Sequence, residues 1–149
     1  MPAAAGETFY YGRGIRRWLV AGPFADGDLA LDHLPDEGQL RPLEGEPAGA
    51  GVWKRVEHLG YSAERLLLTD ITGSDPDVVS YAFALTNSNR EQEGFLWLGY
   101  DEVAKVWLNG EVVYDDPEPR DFALAEEHIP ILIHRGENRL LFKIGNLGG

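Results

Sequence analysis

"KVWLNGEVVY", residues 105–114, is the stretch that decides the fold. Apolar residues lead into Asn109-Gly110, and further apolar residues follow it. An Asn-Gly pair between two such runs is typical of a two-residue type I′ turn, because both turn positions need a positive φ that Asn and Gly tolerate. The stretch therefore predicts a β-hairpin in which Trp107 lies opposite Val112 and Lys105 lies opposite Tyr114.

Short strands with alternating apolar residues are predicted on both sides of this hairpin. Before it, residues 77–88 place Val79, Tyr81, Phe83 and Leu85 on one face. The run around Phe95 and Leu96 is apolar on both faces, which is typical of a central strand. Residues 64–71 are compatible with a strand or with one helical turn. The other predicted strands cover residues 16–22, 51–60, 128–134 and 138–146.

The whole pattern predicts an all-β protein, an antiparallel β-sandwich in a single domain over residues 1–149. No segment has the i, i+3, i+4, i+7 apolar stripe of an amphipathic helix. About eight short strands with turns every 8–12 residues are typical of a sandwich. By composition, residues 1–8 and 35–51 are predicted to be mobile, the second because prolines and glycines crowd it.

Composition limits the classes of partner. The chain has 13 basic and 25 acidic residues, a formal net charge of −12, which disfavours nucleic acid and anionic membranes. It contains no cysteine, so disulfides, thiolate metal sites and cysteine nucleophiles are excluded. No apolar run approaches the roughly 18 residues of a membrane span. Neutral ligands and cations remain open as partners.

Four stretches in order, "RRWLVAGPF", "VWKRV", "VVSYAFALTNSNREQEGFLWLGYDEVAKVWLNGEVVY" and "IPILIHRGENRLLFKIGN", resemble the galactose-binding-domain-like jelly rolls. The similarity extends from about Arg16 to Asn146 and includes sugar-binding and accessory domains of bacterial glycoside hydrolases. It implies a jelly roll and a non-catalytic carbohydrate-binding module or accessory domain of a larger bacterial protein. Localisation is open; the resemblance implies an extracellular or cell-surface position. The chain departs from the family pattern at Tyr100 and in ending at "NLGG".

Sugars are held by aromatic rings that stack on the sugar face and by polar side chains that bind its hydroxyls. Relatives commonly place such a site in loops at one end of the sandwich. The predicted ligand-binding residues are Trp53, Tyr100, Asp101, Glu102, Tyr114, Asp116 and Arg120. The alternatives are that Trp53 only covers a sandwich edge and that Arg120 pairs with a neighbouring acid in a solvated loop at 114–122. Trp18, Trp97 and Trp107 alternate with aliphatic residues and are predicted to be core.

A structural calcium ion is a candidate cofactor. In "ADGDLALD", residues 25–32, the carboxylates of Asp26, Asp28 and Asp32 lie within one glycine-containing loop. Hard cations bind several oxygens in such a turning backbone, and many relatives of the resembled family carry calcium. The alternative is a chance cluster in an acidic chain.

Catalysis by this domain is not expected. The four histidines are dispersed without metal-ligand spacing, and no G-x-S-x-G elbow occurs. The alternative function is a structural or protein-interaction β-sandwich that packs against neighbouring domains of a parent chain and binds no sugar. Several aromatic faces open on one concave end would favour sugar, whereas one flat apolar patch would favour a protein partner.

Overall fold

A computed structural model describes residues 17–57, 77–98, 102–120 and 127–146. It is an all-β antiparallel sandwich, as the sequence predicts. One short 3-10 turn covers Glu37–Gln39. The strands are β1 Arg17–Ala25, β2 Pro47–Ala48, β3 Gly51–Val52, β4 Lys54–Glu57, β5 Val78–Ser88, β6 Gln92–Leu98, β7 Glu102–Leu108, β8 Glu111–Arg120, β9 Glu127–Ile133 and β10 Gly136–Asn146.

The hairpin predicted at 105–114 joins β7 to β8. Asn109 has φ 52° and Gly110 has φ 88°, so the predicted two-residue turn with positive φ at both positions is confirmed. Trp107 lies opposite Val112, also as predicted. Lys105 lies opposite Asp115 rather than Tyr114, so that pairing was wrong by one residue. The cause is a β-bulge: Val106 pairs with Tyr114, which leaves Val113 as an extra residue in β8.

Six strands form the main sheet in the order β4-β1-β5-β10-β7-β8. β5 and β10 lie at its centre and pair over their full lengths, from Gly136 opposite Ser88 to Asn146 opposite Val78. Residues 79–84 are all buried, so this centre is covered on both faces. A sheet covered on both faces needs a separate layer on each side, and the chain supplies two different ones.

The face that we call the sandwich face packs against a second sheet, made of β6 and β9. From the six-stranded sheet it includes Val20, Ala82, Val106, Leu140 and Phe142. From β9, Ile129 is buried among them, and Leu96 and Ile131 pack at the margin. This is the sheet-on-sheet packing that defines a β-sandwich.

The opposite face, the cover face, lies beneath an irregular segment, residues 27–53. Its sheet residues include Val79, Tyr81, Phe83, Trp107 and Leu141. The segment contributes Leu29, Leu34, Ala48 and Trp53, all buried. Most of the stretch predicted to be mobile, residues 35–51, therefore forms part of this cover; it contains the 3-10 turn and the β2–β3 hairpin. Backbone hydrogen bonds of 2.9 and 3.0 Å join Trp53 to Gly45 and Glu46.

Two local expectations differ from the structure. β6 pairs only with β9 among the described residues and leaves Phe95 66% exposed, so it is not the central strand expected from its composition. Leu96 packs against the core, whereas Phe95 lies on the opposite side of the strand. The charged stretch expected to be a loop after Tyr114 continues as strand β8 to Arg120. Proline is tolerated there because β8 is the last strand of its sheet.

Candidate functional site

The ligand-binding residues predicted from sequence separate into three groups. Tyr100 and Asp101 lie outside the described residues. Glu102 and Arg120 lie directly opposite each other on β7 and β8. Tyr114 and Asp116 follow along the edge strand β8, where the Tyr114 hydroxyl donates to Asp116 Oδ2 at 3.3 Å. The Tyr114 ring packs partly buried against the sandwich face, which leaves only part of it open.

Trp53 lies apart from these residues, on the cover face. Its side chain is 3% exposed and packs edge-on against Tyr81, with ring centroids 6.5 Å apart. A sugar needs an open aromatic face, and the indole of Trp53 offers none in this structure. The six-stranded sheet also separates Trp53 from Tyr114, so the two rings do not form one binding surface.

The aspartates of the predicted calcium site hydrogen-bond within their own loop. Asp26 Oδ1 accepts the Asp28 N–H at 3.0 Å, and Asp28 Oδ1 accepts the Ala30 N–H at 2.9 Å. These are Asx turns, which polar loops form without a metal. No group of three or more metal-ligating side chains occurs among the residues that the structure describes. Calcium binding by Asp26, Asp28 and Asp32 stays a prediction.

A buried charged cluster lies under the cover segment and was not predicted. Lys143 on β10 is 0% exposed, and its Nζ lies 2.8 Å from Glu37 Oε2. Lys143 also donates to the carbonyl oxygens of Leu29, at 2.8 Å, and Leu31. Glu37 accepts a second, short hydrogen bond from the Tyr81 hydroxyl. We call Lys143, Glu37 and Tyr81 the buried triad.

The triad fastens the cover segment to the sheet. Tyr81 and Lys143 are cross-strand neighbours on β5 and β10, whereas Glu37 belongs to the 3-10 turn of the segment. A buried charge is tolerated only when it is paired and hydrogen-bonded, and here each member has such a partner. Because Lys143 is closed to solvent, the arrangement fits a structural role rather than chemistry on a ligand. The sequence feature that could have indicated the buried triad is a lysine within the apolar strand "RLLFKIGN".

The Tyr81 hydroxyl gives a prediction at alkaline pH. Burial, with a further contribution from Glu37, raises the pKa of Tyr81 well above its ordinary value. The folded protein therefore keeps a proton that the unfolded chain loses above about pH 10, so the titration of Tyr81 should leave stability unchanged below that pH and lower it above. Tyr81→Phe should remove this part of the alkaline decline and cost about 1–3 kcal/mol at neutral pH, because Glu37 loses a donor.

Urea unfolding from pH 7 to 11 measures both effects. The control is Tyr114→Phe, whose hydroxyl is only part-buried. An equal alkaline slope in wild type and Tyr81→Phe would contradict the assigned burial of this phenol.

A second polar group lies at the tip of the β7–β8 hairpin, where the cover segment crosses it. Its members, which we call the tip cluster, are Gly38, Gln39, Trp107, Gly110 and Arg139. A Cβ added at Gly110 would lie 2.9 Å from Gln39 Nε2, 3.2 Å from the Gly38 carbonyl oxygen and 3.4 Å from Arg139 Nη2. Because Gly110 has no side chain, two N–H donors and one acceptor approach its backbone closely.

The pyrrole edge of Trp107 packs against Gly38. A Cβ at Gly38 would lie 3.2 Å from Trp107 Cδ1 and 3.3 Å from Nε1. No hydrogen bond of the Gln39 or Arg139 side chain is found within the described part of the chain, and Arg139 Nε is buried without a partner. The turn was predicted from the sequence, but the tip cluster was not, because Gln39 and Arg139 lie far from the turn in the sequence.

Neighbouring groups hold the tip cluster in place. Asn109 Oδ1 accepts the Arg139 N–H at 2.9 Å, and Asn109 Nδ2 donates to Asn138 Oδ1 at 2.9 Å. Asn138 is fully buried and binds the backbone of His134 and Gly136, which ties the β9–β10 turn to the hairpin. The backbone at Gly110 and Arg139 is therefore fixed before any ligand arrives, which lowers the entropic cost of binding.

The structure also contains one exposed apolar surface, on the outer side of the β6–β9 sheet. Phe95 is 66% exposed and lies opposite Pro130, and Leu132, 45% exposed, lies opposite Glu93. The two apolar side chains belong to the same side of the sheet, because directly paired residues and their second neighbours point the same way. This surface lies on a different sheet from the tip cluster.

No family model matches the chain, and no curated protein matches it either. The structure contains no helix, within its described parts, with the length and apolarity needed to cross a membrane. The resemblance to galactose-binding-domain-like proteins therefore stays a prediction, and the confirmed statement about the fold is that it is an all-β antiparallel sandwich.

Proposed function

We propose that this chain is a non-catalytic carbohydrate-binding domain, an accessory module of a larger bacterial protein, and that the tip cluster is its ligand site. One observation carries the proposal: Gln39 Nε2 and Arg139 Nη2 converge on Gly110, and neither side chain has a hydrogen-bond partner within the described part of the chain. Donors that no protein acceptor occupies favour a ligand that supplies acceptors.

Sugar fits this site by its chemistry. Its hydroxyl and ring oxygens accept from Gln39 and Arg139, and its hydroxyl protons have the Gly38 carbonyl as an acceptor. The site has few polar groups, so we expect a dissociation constant in about the micromolar to millimolar range. The polar groups of the cluster include no pair of carboxylates, the arrangement that glycosidases use, which supports a binding role rather than a catalytic one.

A second candidate function is docking to a protein, supported by the exposure of Phe95 and Leu132 on the outer β6–β9 surface. Flat exposed apolar patches mark protein interaction sites. In that case the domain is a structural module that binds a neighbouring domain of its parent chain and no sugar.

Intrinsic tryptophan fluorescence, titrated with a panel of neutral and acidic oligosaccharides with and without calcium, tests the proposal. Wild type should give a saturable change with one glycan class. Gly110→Ala should weaken it at least about tenfold, because the added methyl group would lie 2.9 Å from Gln39 Nε2 and must displace the side chains of the cluster. Gly136→Ala is the matched control: Gly136 has a similar φ of 93°, against 88° at Gly110, but no atom lies within 4 Å of its Cβ position.

The possible results separate the two functions. Equal binding by both glycine variants would remove the tip cluster as the site. No response to any glycan, together with binding of a hydrophobic dye that Phe95→Ser abolishes, would favour the docking function. A rise in melting temperature with calcium that Asp28→Asn removes would support a structural metal site.

A further inference from the structure

We infer that the tip cluster recognises a carboxylate, so that the ligand is an acidic sugar such as a uronate rather than a neutral one. This inference rests on the proposed function and names the substrate class for the same site. It depends on the state of one side chain, Arg139, and on the balance of charge around it.

A hydrogen-bond acceptor would stabilise the Arg139 side chain. Its Nε is buried without a hydrogen-bond partner, and its Nη2 lies 3.4 Å from the Cβ position of Gly110. The natural complement of a guanidinium is a carboxylate, which accepts from its outer N–H groups. Gln39 Nε2 adds a neutral donor near the same glycine.

Near Arg139, positively charged side chains outnumber negatively charged ones. Glu137 is occupied by Arg41, which makes two hydrogen bonds to it, of 3.1 and 2.7 Å, and these bonds hold the pKa of Glu137 below its ordinary value. Glu111, the residue after the turn, pairs with Leu108 and so belongs to the sandwich face, away from the Arg139 side chain. Two arginines therefore share one carboxylate at the cover-face end of the hairpin.

The net charge of the whole molecule limits which anions can bind. The net charge of −12 repels polyanions at long range, so an acidic protein segment or a nucleic acid is disfavoured. A sugar acid carries a single negative charge per ring beside neutral hydroxyls. The local cation can bind such a group at short range, where desolvation strengthens the interaction.

The test compares D-galacturonate with D-galactose, which differ only in the carboxylate at C6, and adds acetate as a carboxylate without a sugar. Isothermal titration calorimetry measures binding to the full chain. Wild type should prefer galacturonate by at least about tenfold, as one hydrogen-bonded charge pair would give. The preference should weaken with added salt, whereas the affinity for galactose should not change.

Arg139→Gln should reduce galacturonate to the affinity of galactose. Arg55→Gln is the control with the same loss of charge: Arg55 lies on β4, at the far edge of the sheet, and pairs with Glu57 at 2.7 Å. Circular dichroism melting establishes that each variant is folded. If Arg139→Gln does not fold, Gly110→Ala against Gly136→Ala gives the same comparison, because the added methyl lies against Arg139 Nη2.

The results distinguish the carboxylate inference from the sugar-binding function. Equal affinity for galactose and galacturonate would overturn the carboxylate inference and leave the sugar-binding function standing. Equal affinity for acetate and galacturonate would support a carboxylate site but overturn sugar recognition. No binding of any of the three, even at high concentration, would overturn both.

Discussion

Replacing Lys143 with methionine is expected to destabilise the protein by about 3–5 kcal/mol, the range for removing one partner of a buried ion pair. The substitution keeps most of the side-chain volume but leaves the Glu37 carboxylate without its cation. It also leaves the carbonyl oxygens of Leu29 and Leu31 without their donor. The loss should appear in urea unfolding at pH 7, followed by circular dichroism.

Lys105→Met is the control for this substitution. Lys105 lies directly opposite Lys143 on the neighbouring strand β7, but its side chain is 22% exposed and its ion pair with Asp115 is 4.0 Å long. Such a pair contributes about 0–1 kcal/mol, so this variant should remain close to wild type. If the two lysine variants were equally stable, Lys143 would not fasten the cover segment as described.

Trp53→Ala is expected to cost about 3–5 kcal/mol, as for other large side chains removed from a packed core. Trp53 lies in the cover-face cluster with Tyr81 and Ala48, and it is 3% exposed. We further expect the folded variant to bind glycan with unchanged affinity, since the ring lies away from the tip cluster. Urea unfolding and a glycan titration, performed on the same sample, measure the two effects.

Phe95→Ala is the control for the size of the side chain, because Phe95 is also a large aromatic residue but is 66% exposed. Its removal should change stability by no more than about 0.5 kcal/mol. A Trp53→Ala protein that is as stable as Phe95→Ala and has lost glycan binding would contradict the core assignment. It would restore Trp53 as the sugar platform that the sequence alone allowed.

Features that depend on residues adjacent in the sequence were predictable. The turn at Asn109-Gly110 follows from the conformations that these two residues tolerate, and its positive φ angles are confirmed. The alternation in β5 correctly places Val79, Tyr81 and Phe83 on one buried face. The β-bulge at Val113 was not predictable, because one extra residue in a strand leaves no mark in the apolar pattern.

Features that depend on distant residues were missed. Proline and glycine in residues 35–51 indicated an irregular segment correctly, but not that it buries Glu37 and Ala48 over the cover face. The same limit applies to the candidate site. Arg41 and Glu137, which flank it, are 96 residues apart in sequence and meet only because the segment crosses the hairpin.

The predicted sugar site relied on the number of aromatic and acidic residues near turns. Composition of this kind does not tell whether a ring is buried, and Trp53 is. It also does not identify Gly110, which matters because its lack of a side chain lets the side chains of Gln39 and Arg139 approach it closely. The unpaired donors of Gln39 and Arg139 become apparent only when their hydrogen bonds are traced in three dimensions.

The central claim is that ligand binds at the tip cluster, and amide chemical-shift mapping tests it most directly. Uniformly ¹⁵N-labelled protein would be titrated with D-galacturonate. The largest shifts should fall on Gly38, Gln39, Gly110 and Arg139, with saturation at one common affinity. Shifts concentrated instead on β8 from Tyr114 to Asp116, with the tip cluster unchanged, would contradict it.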